Sequence, residues 1–303
     1  MGKSEIMLMQ GVSNKERNSD RKLLRKAFLF LFLVVAMGAF STPAHAQATG
    51  TVVFDSIPNS PTPPNVPSTG FQCCQNAELG DQVTLEADTP RRAGLVTVLM
   101  SSWSLHSDYP DMPAAGYTHP ITLNIYRNAT EAAAHKPWKT VTQEFTIPWR
   151  PEADTTCGTA YLTKGKCYNG RAFPIVFDLR SNNVRLPGTF IYGVAYNTNT
   201  WGYAPIGQPG PYESLNVGLA TVAPTVGTDT VPGDVYRSSL NGAGGFISEG
   251  GWSSYTPAVQ FTTFGFPVQP NDCKNGAWQN LLRTDNTSFK NQAACVTYVT
   301  SGK

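Results

Sequence analysis

Short runs of alternating apolar and polar residues recur between Thr51 and Phe266, each closed by turn residues. This period of two limits the fold more than any other feature of the chain. Leu123 and Ile125 alternate with Thr122 and Asn124, and Val141, Phe145 and Ile147 with Thr140, Glu144 and Thr146. Ile175, Phe177 and Leu179 alternate with Asp178 and Arg180. Successive side chains of a strand point to opposite faces, so such runs bury one face and wet the other. That is the pattern of an antiparallel sandwich or barrel. Strands are predicted at Thr51–Ile57, Gln82–Ala87, Leu95–Ser104, Ile121–Arg127, Thr140–Pro148, Phe173–Leu179, Phe190–Tyr196, Leu215–Thr221, Asp234–Ser239 and Ala258–Phe266. Between Gln47 and Gly265 nothing sustains a 3.6-residue apolar period, and only Glu131–His135 reads as a helical turn.

The connections are rich in Pro, Gly and Asn, as in residues 58–64 and 207–211. Ten strands in about 220 residues fit one all-β sandwich domain over 47–266, jelly-roll or immunoglobulin-like in strand order. Residues 267–272 read as a linker. Beyond it, Cys273–Leu282 and Ser288–Thr300 are denser in Asn, Gln, Ala and Lys and read as two short helical turns in a small C-terminal element, 273–303.

Residues 1–46 have the order of a secretory signal peptide. Basic residues Arg21, Lys22, Arg25 and Lys26 precede a 14-residue apolar run, Ala27–Phe40. That length suits a signal core and falls short of the roughly 20 residues that span a bilayer. Ala44-His45-Ala46 gives the small–x–small pattern that places cleavage before Gln47. No cysteine follows the run to accept lipid, and no later segment would hold the chain to a membrane. The leader also carries the positive charge. Without its seven basic and three acidic residues, 16 basic and 18 acidic remain in 47–303, a net of −2. A nearly neutral body argues against a nucleic-acid partner, which needs clustered phosphate-neutralising charge.

All six cysteines follow the leader, and an even count in an oxidising compartment reads as disulfides. The local pairs Cys157–Cys167 and Cys273–Cys295 are the economical choice among fifteen connectivities. Adjacent Cys73 and Cys74 leave three options: a strained vicinal bridge, free thiols, or bridges to other chains.

Few residues carry the signatures of enzyme chemistry. There is no Gly-x-Ser-x-Gly elbow, Walker loop, dinucleotide fingerprint or His-Glu-x-x-His, and no cofactor is implied. His106, Asp108, Asp111 and His119 would make a metal site only if their loop folded back. Glycoside hydrolysis needs two carboxylates at a set separation, for which Glu78, Asp81, Asp154, Glu213 and Asp229 are candidates. Aromatic residues in loops are the other signal. Trp201, Tyr203, Trp252 and Tyr255 sit among Gly, Pro and Ser, where flat rings would stack on sugars or else plug the ends of the sandwich.

Several segments carry a resemblance. They include Gly80–Leu85, Val98–Trp103, Thr118–Tyr126, Ile147–Pro151, Cys167–Gly170, Ile191–Thr198, Gly202–Gly207 and Pro211–Val217. Together they resemble a family of secreted, uncharacterised bacterial exoproteins frequent in actinobacteria. Cys273-Lys274-Asn275-Gly276-Ala277-Trp278 with Phe289-Lys290-Asn291-Gln292 and Cys295 looks like a short C-terminal element of exported bacterial proteins. Both resemblances imply export and a β-rich body, and neither implies a reaction. Family members often carry cysteines after the Ser-Ser-Trp segment, where this chain has none before His119.

The expectation is therefore a secreted, extracellular β-sandwich with a structural, adhesive or binding role and no catalysis. Its partner would be a cell-wall or other extracellular glycan. The alternatives are a carbohydrate-binding module using the four loop aromatics and a glycan hydrolase using a carboxylate pair.

Overall fold

The computed structural model describes residues 50–58, 64–70, 76–196, 214–239, 245–253 and 255–302. The leader, Cys73, Cys74, Trp201, Tyr203 and Glu213 lie outside them. The strands are β1 (Thr51–Asp55), β2 (Ser68–Gly70), β3 (Asn76–Thr84), β4 (Arg92–Ser102), β5 (Tyr117–Tyr126), β6 (Lys139–Ile147), β7 (Tyr161–Thr163) and β8 (Lys166–Tyr168). They continue as β9 (Arg171–Asp178), β10 (Thr189–Ala195), β11 (Leu215–Ala220), β12 (Thr228–Asp229), β13 (Asp234–Ser239), β14 (Ile247–Gly250), β15 (Thr256–Pro257) and β16 (Val259–Phe264). Two α-helices are described, α1 (Ala129–Ala133) and α2 (Gln292–Ser301).

Every predicted strand coincides with one of these, so the all-β sandwich is the fold. The run Gln82–Ala87 catches only the end of β3, whose first half carries Glu78, Gly80 and Asp81 and does not read as apolar alternation. β2, the β7–β8 hairpin, β12, β14 and β15 are too short to show a period.

Two antiparallel sheets form the sandwich. In the first, β4 is the spine. β9 pairs along one edge, from Leu95↔Asp178 to Ser102↔Arg171. The other edge is shared in succession by β16, from Arg92 to Val98, and by β11, from Met100 to Ser102. β1 flanks β16, while β2 and β15 pair with β11. The second sheet has the order β14-β13-β3-β10-β5-β6. β12 takes the stretch of β3, Val83–Thr84, that lies past the β13 pairing.

The alternation does what the sequence demands. In β9, Phe173, Ile175 and Phe177 are buried while Pro174 and Val176 are exposed. Phe261 of β16 lies at the centre of the interface, edge-on to Phe190 at 5.2 Å and Tyr192 at 5.4 Å from the opposite sheet, and to Phe54 at 6.4 Å. Phe145 and Phe177, at 5.0 Å, join the sheets where β6 meets β9. Edge-to-face pairs of this kind add about 0.5–1.5 kcal/mol each beyond the area they bury.

The C-terminal element has its own small core of Cys273, Phe289 and Cys295, flanked by Trp278, Leu281 and Tyr298. The Cys273–Cys295 bridge ties the short helical turn at Pro270–Cys273, which begins inside the stretch read as linker, to α2. The Asn291 side chain caps α2 by accepting from the Ala294 N–H at 2.8 Å, and Gly302 ends it at φ +65°. The element is seated on the sandwich. Gly265 and Leu282 exchange backbone bonds with their surroundings, Leu282 N–H to Gly265 O at 2.9 Å and Gly265 N–H to Asn280 O at 3.1 Å. Leu282 buries Phe264, Arg92 donates to Asn286 Oδ1, and the Arg92 guanidinium lies 4.9 Å over the Phe266 ring.

Candidate functional site

β3 carries two buried carboxylates that face opposite ways. Leu79, Asp81 and Val83 point into the sandwich, and Glu78 and Gly80 point to the outer face of the second sheet, as the pleat requires. Asp81 is fully buried. Its Oδ2 accepts from Thr256 Oγ1 at 2.6 Å and its Oδ1 from the Gln82 N–H at 2.7 Å. Burial pushes its pKa up to about 8; the Thr256 bond opposes this, and the charge of Asp229 adds to it. Asp81 is thus largely a neutral acid at pH 7. Tyr192, directly opposite on β10, donates from its hydroxyl to Pro257 O at 3.2 Å. Both residues therefore reach from the second sheet to β15 of the first.

In front of Thr256 lies a cavity of about 410 Å³, within the roughly 300–1,000 Å³ of small-ligand sites. Val222, Ala223 and Pro224 form one wall, Pro232 and Gly233 another, and Asp229, Ser253, Tyr255 and Thr256 supply its polar groups. Asp229 pairs with Val83 across the β12–β3 ladder, so it lies diagonal to Asp81 on one face, a spacing of about 7–8 Å. Its Oδ1 accepts from the Val231 N–H at 2.9 Å, which fixes the carboxylate. Burial raises the Asp229 pKa, and Asp234 raises it further. Among the described residues that line it, none is Lys, Arg or His.

The cavity gathers some of the residues singled out by sequence and separates others. Tyr255 is 41% exposed and lines the cavity. Trp252, proposed alongside it, is instead half-buried against the sandwich core, because its N–H and C=O close a turn from Gly233 O at 3.0 Å to the Tyr255 N–H at 2.9 Å. Trp201 and Tyr203 lie outside the described residues.

The metal quartet is not assembled. His119 is on the inner face of β5 and fully buried, with Nε2 against Tyr196 O, and burial holds its imidazole below the usual pKa. His106 places Nε2 3.0 Å from Met112 O and its ring 5.4 Å from Trp149, while Asp108 and Asp111 are exposed. Among the described residues no group of three His, Cys, Asp or Glu is placed to hold a metal ion.

Of the carboxylates, Asp154 caps a turn through Thr156 beside the Cys157–Cys167 bridge, and Glu213 lies outside the described residues. Asp81 and Asp229 are the pair on one face. A glycosidase acid must touch the leaving oxygen, yet Asp81 does not line the cavity and its Oδ2 is taken by Thr256.

Glu78 occupies a separate polar pocket. Oε1 accepts from Asn124 Nδ2 and the Tyr126 hydroxyl, each at 3.0 Å, and Oε2 lies 3.1 Å from that hydroxyl and 3.8 Å from His135 Nδ1. Gly193 makes the room, since a Cβ there would lie 1.9 Å from Oε1. Helix α1, capped by Asn128, and Phe246 cover this face with Tyr126, Ile191 and Tyr236. Burial raises the Glu78 pKa to about 7, against the Asn124 and Tyr126 bonds.

Sequence reading missed Thr256 and the wall Val222–Pro224. A Thr before Pro and an apolar run before a turn are ordinary features of a loop, and only the pairing of β15 with β11 brings them together. Among the described residues no helix is long and apolar enough to cross a membrane. No family model, no curated protein and no solved structure matches the chain.

Proposed function

We propose that this protein is a secreted, non-catalytic β-sandwich that binds an extracellular glycan at the cavity of Tyr255, Asp229 and Thr256. One observation carries the reading. An exposed tyrosine, a fixed carboxylate and an apolar wall converge on one concave site at the end of the sandwich. Sugar rings present C–H groups that meet an aromatic face and hydroxyls that donate to a carboxylate, so the residue types match the ligand. The two bonded bridges Cys157–Cys167 and Cys273–Cys295 suit an oxidising compartment. Export is expected through the Ala27–Phe40 leader, and amino-terminal sequencing of the exported protein should begin at Gln47. Binding is tested by titrating neutral and charged oligosaccharides in a calorimeter against the wild type and Tyr255→Ala. The expected result is saturable binding that falls at least about 10-fold in the variant. Absence of heat with every sugar class would reject the reading.

A further inference from the structure

Among the described residues that line the cavity, Asp229 alone is charged. Asp229 lines it, Asp234 lies close enough to raise the Asp229 pKa, and none of the groups that shift Asp229 is a cation. The neighbouring acid, Asp81, is raised first by its burial and further by Asp229 and Asp234, against its bonds to Thr256 and the Gln82 N–H. Three other carboxylates are paired with arginines: Glu131 with Arg127, Asp178 with Arg180, and Glu249 with Arg237. Asp229 differs from these. Its Oδ1 takes the Val231 N–H, and among the described residues no hydrogen bond or ion pair joins it to a basic side chain. A half-buried carboxylate in an apolar-walled cavity attracts a cation more strongly than one in open water, because the effective dielectric is lower there. Tyr255, at the same wall, presents an exposed aromatic group to whatever the carboxylate holds.

We infer that the cavity selects a glycan bearing a free amino group, with the ammonium paired to Asp229 and the sugar ring laid on Tyr255. The inference rests on the glycan reading above and narrows it to a ligand class. An N-acetylated sugar loses the charge and gains an acyl group, and a plain hexose offers only hydroxyls. Discrimination thus comes from Asp229 while affinity for the ring comes from Tyr255.

Three tetrasaccharides of β-1,4-linked sugars serve as probes: glucosamine, N-acetylglucosamine and glucose. Each is titrated into the full chain at pH 6, where the sugar amines are substantially protonated. The glucosamine tetramer should bind at least about 10-fold more tightly than the other two, the scale of one charged hydrogen bond. That preference should shrink as sodium chloride is raised from 20 to 500 mM, because the added contact is ionic. Asp229→Asn keeps the oxygen that accepts from the Val231 N–H and removes the charge, so it should abolish the preference while retaining residual binding. A Tyr255→Ala variant should weaken all probes that bind. Equal binding of the three sugars, or a preference insensitive to salt, overturns the amine inference and leaves the glycan reading standing. Failure of all three to bind overturns both. The salt series uses wild-type protein, so the outcome stands even if Asp229→Asn does not fold.

Discussion

Glu78 and Asp81 are three positions apart on β3 and occupy different environments, one under α1 and the other between the sheets. Each is an acid whose folded pKa lies above its ordinary value, about 7 against 4.5 for Glu78 and about 8 against 3.8 for Asp81. The native state therefore holds protons that the unfolded chain has released. Their contribution to stability falls as pH rises from about 4 to 8, the reverse of a salt-bridged carboxylate. Since one pKa unit corresponds to about 1.4 kcal/mol, each group contributes a penalty of a few kcal/mol at pH 8. Glu78→Gln should flatten the profile between pH 4.5 and 7 and raise the urea midpoint at pH 8, as measured by denaturant unfolding at several pH values. A steeper fall in the variant would contradict this. Gly80 gives a second residue-level test. It faces Gly193 across the β3–β10 pair, and a Cβ on it would lie 1.7 Å from Tyr192 O. Backbone cannot yield as a side chain does, so Gly80→Ala should cost about 1–3 kcal/mol or more in unfolding free energy. The sequence names these glycines but gives no hint of why they are needed, since the crowding atoms come from a strand more than 100 residues away.

At the level of elements, the long strands were legible and the short ones were not. β5, β6 and β9 each bury alternate positions, so their sequences carry the period directly. β12 and β15 have two residues apiece and exist only because β3 and β11 offer free edges. They are also the strands that supply Asp229 and Thr256 to the cavity, so the site is the part of the fold least readable from local pattern. The two local disulfides form as spacing suggested. Cys273–Cys295 closes a loop with a sequence separation of 22 residues. Replacing both cysteines with serine should cost about 3 kcal/mol within the C-terminal element by the loop-entropy argument. Hydrogen exchange should then accelerate in α2 and leave the strands facing Phe261 protected. Uniform acceleration over the whole chain would mean that the element and the sandwich unfold as one unit.

For the molecule as a whole, the sandwich and the C-terminal element depend on one another at Phe264 and Leu282, both essentially fully buried against each other. A chain ending at Phe266 loses Leu282 and the Asn286 acceptor of Arg92. It should be less stable by on the order of 2 kcal/mol, from the apolar area returned to water at Phe264. Chemical unfolding of the two lengths measures the difference, and equal midpoints would show that the appendage adds nothing to the sandwich. By itself the sequence determined the class of fold, because a two-residue period is a property of neighbours along the chain and survives any arrangement of strands. It also pointed to the two local disulfide pairs, Cys157–Cys167 and Cys273–Cys295, and to Asp229 and Tyr255 among the residues of the cavity. Tertiary structure alone decided which candidates meet. It turned His119 into the core, put Glu78 and Asp81 on opposite faces, and set Tyr255 beside Asp229. The reason is physical: contact between residues far apart in the chain depends on sheet order and register, and one polar residue in a loop reads much like another until a strand from elsewhere pairs beside it.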